Sequence, residues 1–388
     1  SLTSEHLFRT TDNEQLCWRL WAGDSTLAAG DTNLVLDAGA SVQLTLCAPA
    51  YDNPNIIYLD VWVQQKADNH FADKHHEIAH QQFVVKERSE KPSSVGTKKN
   101  TTTTKIDNEA GEYRVQCGPS TFAISKNSGQ LTNWSLEGTE QLQSPISDSF
   151  TRAPLDNDIG SSQVDHPSAD SWLSKWQSTG LFNWEHRCLG LALDEPCKLL
   201  TARHGYFHND QLMVSSTWQY VFSMDGTVTI TISVEVSESA PPLPRVGALL
   251  RLLNDPGHIS WFGRGPHENY PDRKHSAVFG KWTQSTPEMH TPYLFPSENG
   301  LRCDVSEAII GPIMIGGKFS FGVSQYSVKQ LMGAQHEHEL IPEGGLFLHI
   351  DGFHMGVGGD DSWTPSTKPR YQLTASTYCW GFSLSAEN

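Results

Sequence analysis

Residues 218–236 read WQYVFSMDGTVTITISVEV, and this stretch decides the fold class. In an extended chain Val228, Ile230, Ile232, Val234 and Val236 share one face, and Thr227, Thr229, Thr231, Ser233 and Glu235 share the other. That is the two-residue period of a half-buried strand. Asp225-Gly226 stands directly before it and Trp218–Met224 before that, which together predict a β-hairpin. Working outward, similar short runs bounded by turn residues predict strands at Tyr113–Gln116, Phe122–Ser125, Leu212–Ser216, Phe319–Ser324, Leu346–Ile350 and Tyr371–Leu384. Toward the N-terminus the same reading gives strands at Asn33–Leu36, Val42–Cys47, Ile56–Gln64 and Gln81–Val85. Only Ser171–Gln177 and Val328–Ala334 look helical, and no alternating strand–helix units are present, so the chain is predicted to be all-β.

At 388 residues the chain has room for two or three domains. The clearest break is 86–105, KERSEKPSSVGTKKNTTTTK, with six basic and two acidic residues and almost no apolar side chain. Such a segment has little to anchor it to a core. The expected organisation is therefore a small β-sandwich over residues 1–90, a linker over 91–105 and a large antiparallel sandwich over 106–388.

Twenty-eight Lys and Arg against 44 Asp and Glu leave a formal charge of −16. That disfavours a nucleic-acid partner, which requires a basic surface, but leaves neutral sugars open. No apolar run approaches the 18 residues of a membrane helix. The opening SLTSEHLFRTTDNEQL has neither the charged nor the apolar region of a secretory signal. Ser1 is read as the start of a fragment or a tag remnant. Seven scattered cysteines without CxxC spacing suggest reduced, mostly buried thiols and a cytoplasmic location.

His76-Glu77-Ile78-Ala79-His80 matches the HExxH zinc pattern, whose chemistry needs a helix to bring both rings onto one metal. The flanking sequence reads as a strand, where residues four apart lie about 13 Å apart. A chance match in an edge strand is expected, and the same holds for a solvated loop at His336-Glu337-His338-Glu339. Gly, aromatic and acidic residues concentrate instead in four stretches: FTRAPLDNDIG (150–160), GRGPHENYPDR (263–273), YLFPSENGLRC (293–303) and IDGFHMGVGGDDSW (350–363). Loops of this composition on a β scaffold often carry binding function, and twelve Trp and ten Tyr suit stacking against sugar faces.

These four stretches resemble the C-terminal region of bacterial β-galactosidases of glycoside hydrolase family 2, and the resemblance extends over essentially all 388 residues. It implies that residues 1–90 form an immunoglobulin-like β-sandwich and that the rest forms the small-chain domain, a galactose-mutarotase-like antiparallel supersandwich. It implies hydrolysis of terminal β-D-galactosides such as lactose by an enzyme whose catalytic glutamates, together with Mg and Na, lie on a barrel preceding Ser1. No catalytic residue and no metal or other cofactor is then expected in this segment, which alone would be inactive. Its partners would be a β-galactoside or galactose, the N-terminal catalytic part, and further copies in a homo-oligomer, with no nucleic acid or membrane. The resemblance assigns substrate binding to Trp363, which would stack on the sugar at the outer side, and to a mobile loop starting at Gly160 and including Ser162. The alternative is a free-standing aldose epimerase or sugar-binding module, for which His354 and Glu298 are the nearest acid–base candidates.

Overall fold

A computed structural model describes residues 1–46, 56–86, 104–160, 167–359 and 367–387. The chain divides into two compact units, Ser1–Lys98 and Lys99–Asn388.

In the N-terminal unit β1 (Leu2–Thr3) pairs with β4 (Ser41–Val42). A four-stranded antiparallel sheet runs β3 (Ser25–Asn33), β2 (Glu14–Ala22), β5 (Ile57–Gln65), β6 (Glu77–Lys86). The β2–β3 hairpin replaces the strand expected at Asn33–Leu36. The residues EQLCWRLWA bury Leu16, Leu20 and Trp21 while Arg19 reaches solvent, and Gly23 turns the chain in the left-handed region at φ 56°. The alternation there is blurred because Cys17 and Ala22 are also buried. Of the expected strand Val42–Cys47 only Ser41–Val42 forms among the described residues, and Cys47 lies outside them.

The second unit opens with a five-stranded meander: β7 (Lys105–Asn108), β8 (Glu112–Cys117), β9 (Ser120–Ser125), β10 (Leu131–Leu136) and β11 (Thr139–Glu140). A twelve-stranded antiparallel sheet follows. Its main path is β12 (Ser147–Ser149), β17 (Arg245–Leu252), β22 (Leu346–His354), β21 (Ile313–Ser324), β23 (Thr377–Ala386), β16 (Val228–Val236), β15 (Gln211–Phe222), β14 (Leu199–His208) and β13 (Glu185–Asp194). A branch adds β20 (Arg302–Ile310), β18 (His258–Gly265) and β19 (Val278–Ser285). The predicted hairpin is present, with Phe222 opposite Val228 and Gly226 turning at φ 92°. Val228, Ile230, Ile232 and Val234 are at most 1% exposed, and they join Phe122, Trp134, Trp218 and Phe321 in one core. The segments expected at Leu212–Ser216 and Trp218–Met224 merge into the single strand β15, and the strand expected from Tyr371 begins only at Thr377. Among the described residues four short α-helices appear: α1 (Asp156–Ile159), α2 (Trp172–Ser178), α3 (Thr286–Met289) and α4 (Val328–Gly333).

All six described cysteines are free. Cys17, Cys117 and Cys303 are buried, but Cys197 and Cys379 are exposed, so the thiols are less sequestered than expected. Seven of the eleven described tryptophans are buried, which makes most of these rings core rather than binding surface.

Candidate functional site

The four loop stretches meet at one end of the large sheet. FTRAPLDNDIG continues from β12, GPHENYPDR from β18 and HMGVGG from β22, while FPSENGL leads into β20. Antiparallel register brings these ends together: Ser149 lies opposite Gly247, Arg245 opposite His354 and Arg302 opposite Phe321. Between them is a cleft of about 410 Å³ lined by Leu155, Asp156, Asn157, Tyr270, Arg273, Tyr293, Phe295, Glu298, Val357 and Gly359, among others.

Buried arginines lock the loops in place. Arg152 is fully buried and donates to both oxygens of Asp158 at 2.9 and 2.6 Å, and also to the carbonyls of Met355 and Gly356 at 3.2 Å. The same Asp158 accepts from the Leu155 amide at 3.0 Å, which starts α1. Arg245 at the head of β17 donates to Glu298 (2.7 Å), Asp351 (3.0 Å), the Thr151 carbonyl (3.2 Å) and His349 Nδ1 (3.1 Å). Arg302 donates to three carbonyls, of Pro266, Met289 and Gly300, and to Gln284, and burial lowers its guanidinium to about 10. A buried guanidinium is tolerated only when most of its five donors are met, and each of these arginines satisfies that condition.

The acidic groups tie the loops to one another. Glu268 accepts from Arg273 (2.5 Å), the Tyr293 hydroxyl and the Gly300 amide (2.8 Å). Asp272 accepts from the Val357 and Gly358 amides at 3.0 and 2.8 Å. Asn269 accepts from the Cys303 amide at 3.0 Å, and Asn157 donates to the Val357 carbonyl at 2.8 Å. The dense Asp, Asn and Glu content of these motifs is thus mostly spent on holding loop backbone, the groups that irregular chain leaves unpaired.

Glu298 and His354, the epimerase candidates, do come together, with His354 Nε2 3.7 Å from Glu298 Oε1. Burial would raise the Glu298 carboxyl, but Arg245 and His354 outweigh it and hold the group well below the usual carboxylate range. A carboxylate so strongly stabilised as the anion is a weak base. His354 Nδ1 donates to its neighbour's carbonyl at 2.7 Å, and His354 is only 5% exposed. Four buried polar atoms here have no hydrogen-bond partner among the described residues: Asn157 Oδ1, Tyr270 Oη, His354 Nε2 and Asp351 Oδ1. Burial pushes the Asp351 carboxyl up despite Arg245.

Gly160 ends α1 in the left-handed region (φ 64°) and is buried. The Ser168 amide donates to the Ile159 carbonyl at 3.0 Å, so the chain returns beside the point where it left. Ser162 and Trp363 lie outside the described residues. The described residues nearest to Trp363 in sequence are Gly359, which lines the cleft, and the buried Thr367. His76 and His80 flank and join the edge strand β6, where His80 pairs with Glu77 at 3.2 Å, a strand setting rather than the helix a zinc site requires. His336–Glu339 forms an exposed 3₁₀ turn. Among the described residues no group of three or more His, Cys, Asp or Glu is placed to hold a metal ion. Arg152, Arg245 and His349 escaped the sequence reading. Two arginines, Arg245 and Arg251, in the otherwise apolar RVGALLRL were the available signal for Arg245.

Two family models match in chain order: that of β-galactosidase domain 4 over residues 1–86 and that of the β-galactosidase small chain over residues 116–384. The chain belongs to the β-galactosidase small-chain family. Among curated relatives, it is 40% identical over 99% of its length to the β-galactosidase of Aeromonas hydrophila subsp. hydrophila. It is 36% identical to that of Klebsiella pneumoniae and 38% identical to that of Yersinia enterocolitica, again over 99% of its length. It spans 37% of the length of each of these relatives. Among solved structures, 74% of the chain aligns with 99% of a galactose 1-epimerase from Lactobacillus acidophilus, at 7% identity and a TM-score of 0.36.

Proposed function

We propose that this member of the small-chain family works as the C-terminal part of a cytoplasmic, homo-oligomeric β-galactosidase that hydrolyses terminal β-D-galactosides such as lactose. The observation that carries the reading is the convergence of its four motif loops on one cleft, where Glu298 is committed to Arg245 and the other lining carboxylate, Asp156, is exposed. Glycoside hydrolysis usually takes two carboxyl groups facing each other about 5 Å or about 6.5–9.5 Å apart, one able to give a proton and one free to attack or to activate water. Glu298 and Glu268 are instead tied to Arg245 and Arg273. The catalytic pair, with Mg and Na, belongs in this reading to sequence that relatives carry outside the matched region. The present segment contributes a wall of the pocket. Gly160 and Ser162 supply a loop at its edge, and Trp363 a stacking platform for the non-galactosyl group. Gly359 lining the cleft supports that placement of Trp363, and the C-cap geometry of Gly160 suits the start of such a loop.

The test uses the chain alone and then within the full-length enzyme. Alone, it should leave nitrophenyl galactoside unhydrolysed. In the full-length enzyme, Trp363→Ala should raise the lactose KM by roughly 30- to 150-fold, the worth of about 1.5 kcal/mol of apolar burial plus about 0.5–1.5 kcal/mol of ring-face contact. Free galactose affinity should change much less. Hydrolysis by the purified chain alone, or equal losses for lactose and galactose, would overturn these assignments. The division into 1–90, 91–105 and 106–388 is proposed on the composition of the basic segment. Limited proteolysis should cut first within 86–105, since apolar-poor chain opens at little cost, and first cleavage inside β16 would refute it.

The epimerase alternative is not favoured, because the His354–Glu298 pair sits deep in an ionic lattice that keeps Glu298 ionised.

A further inference from the structure

A second, larger cleft of about 570 Å³ is linked to the first through Arg245. Arg245 reaches Glu298 in the first cleft with Nη2 and His349 in the second with Nη1. None of the four motif loops supplies its walls apart from the opening residues Phe150 and Thr151.

Its aromatic side is fixed in place. The Trp184 indole donates to the Thr179 carbonyl at 2.9 Å and packs on Phe150 at 6.4 Å, and Phe150 meets Tyr206 edge-on at 5.1 Å. Trp184 and Phe182 are only half-buried, so ring surface remains for a ligand. Its polar side is equally preset. Arg245 can only donate, so His349 Nδ1 must accept, and the Ser149 hydroxyl at 3.2 Å donates to the same nitrogen. The His349 proton therefore sits on Nε2, on a side chain that lines the cleft. Burial and Arg245 lower this ring to about 3, so it is a neutral donor at ordinary pH. Asp148 supplies the acceptor, its carboxylate aimed by Ser216 (2.6 Å), Tyr206 (2.8 Å) and Trp218 (3.0 Å). The exposed Asn183 amide stands at the rim with both donor and acceptor capacity.

A fixed flat ring beside a preset donor, an acceptor and an amide is complementary to a pyranose, with its apolar face and ring of hydroxyls. We propose that this cleft is a second carbohydrate site, binding a hexopyranose without chemistry and separately from the pocket wall assigned to Trp363. The inference does not depend on the proposed hydrolase role.

The experiment is saturation-transfer NMR with calorimetry on the 388-residue chain, using galactose, glucose and lactose as probes. At least one sugar should bind saturably. Trp184→Ala should weaken binding roughly tenfold, the equivalent of about 1.4 kcal/mol, while Arg19→Ala, at an exposed position of the N-terminal unit, should leave it unchanged. If Trp184→Ala fails to fold, Asn183→Ala at its exposed position carries the test, with an expected loss of at least about threefold. No saturable binding up to about 100 mM of any probe, or binding unchanged in the cleft variants, would overturn the proposal.

Discussion

Two ion pairs of nearly equal length separate the two units of this molecule. In the N-terminal unit Arg19 meets Asp60 at 2.8 Å, with side chains 49% and 16% exposed. In the C-terminal unit Arg245 meets Glu298 at 2.7 Å, with side chains 1% and 7% exposed. Distance alone would rank them together, but dielectric surroundings do not. The first pair competes with water on both sides and is screened by salt. The second has no water to fall back on, so each partner depends on the other. The contrast follows from what each unit encloses. The N-terminal sheet ends in β6, which exposes Phe83, Val84 and Val85 as well as its polar residues. The large sheet gathers four polar loops over its end and must satisfy them internally.

The sharpest break of this comparison would come at Arg245. Arg245→Ala strands Glu298 and Asp351 as buried charges and should cost about 3–5 kcal/mol of stability, measured by urea unfolding of the C-terminal transition. A loss below about 1 kcal/mol would mean that water reaches the site and that the two pairs are alike.

Acid should act next most strongly, through buried histidines of the C-terminal unit. Burial lowers His349 to about 3 and His204 to about 4. A histidine depressed in the folded state stabilises it fully above its unfolded value, about 6.5. That stabilisation is lost as pH falls through the folded value. Asp148 acts oppositely: burial pushes it up to about 6, so its contribution is present below its ordinary 3.8 and lost as pH rises through about 6. The two histidine shifts together exceed that of Asp148. The melting temperature of the C-terminal transition should therefore fall as pH drops from about 6.5 toward 4, and His349→Gln should flatten the slope. A flat profile in the unaltered chain would contradict the burial of these rings.

The smallest effect belongs to the exposed pair. Arg19→Ala should cost about 0.2–1 kcal/mol and lose even that at high salt, while the Arg245→Ala deficit should hardly change with salt. A large, salt-insensitive loss at Arg19 would erase the difference between the units.

Much of the fold was legible in the residues themselves. The alternation from Val228 to Val234 reports a strand because a two-residue period can bury one face only in extended chain, and Asp225-Gly226 supplies the left-handed backbone its turn requires. Strands such as β18 and β19, with HISWFGRG and VFGKWTQS, were missed because their glycines and mixed polarity hide the period. Two of those glycines leave room for a tryptophan, since a Cβ on Gly265 or Gly280 would fall within 3.0 Å of Trp282, and Gly263 leaves room for Val305. The four motif loops likewise announced themselves by composition, and their joint location at one end of a sheet fits the binding role read from it.

By itself, then, the sequence determined the β class of the chain, the central hairpin and the family to which it belongs, because these rest on local periodicity, turn chemistry and long motifs. Only the tertiary structure decided what the charged residues do. Glu298 and Arg245 are 53 positions apart, and Arg152 meets Gly356 across 204. No local pattern marks such pairs. Sheet register brings them together, and exclusion of water by the surrounding loops turns otherwise ordinary polar residues into the lattice that positions the cleft.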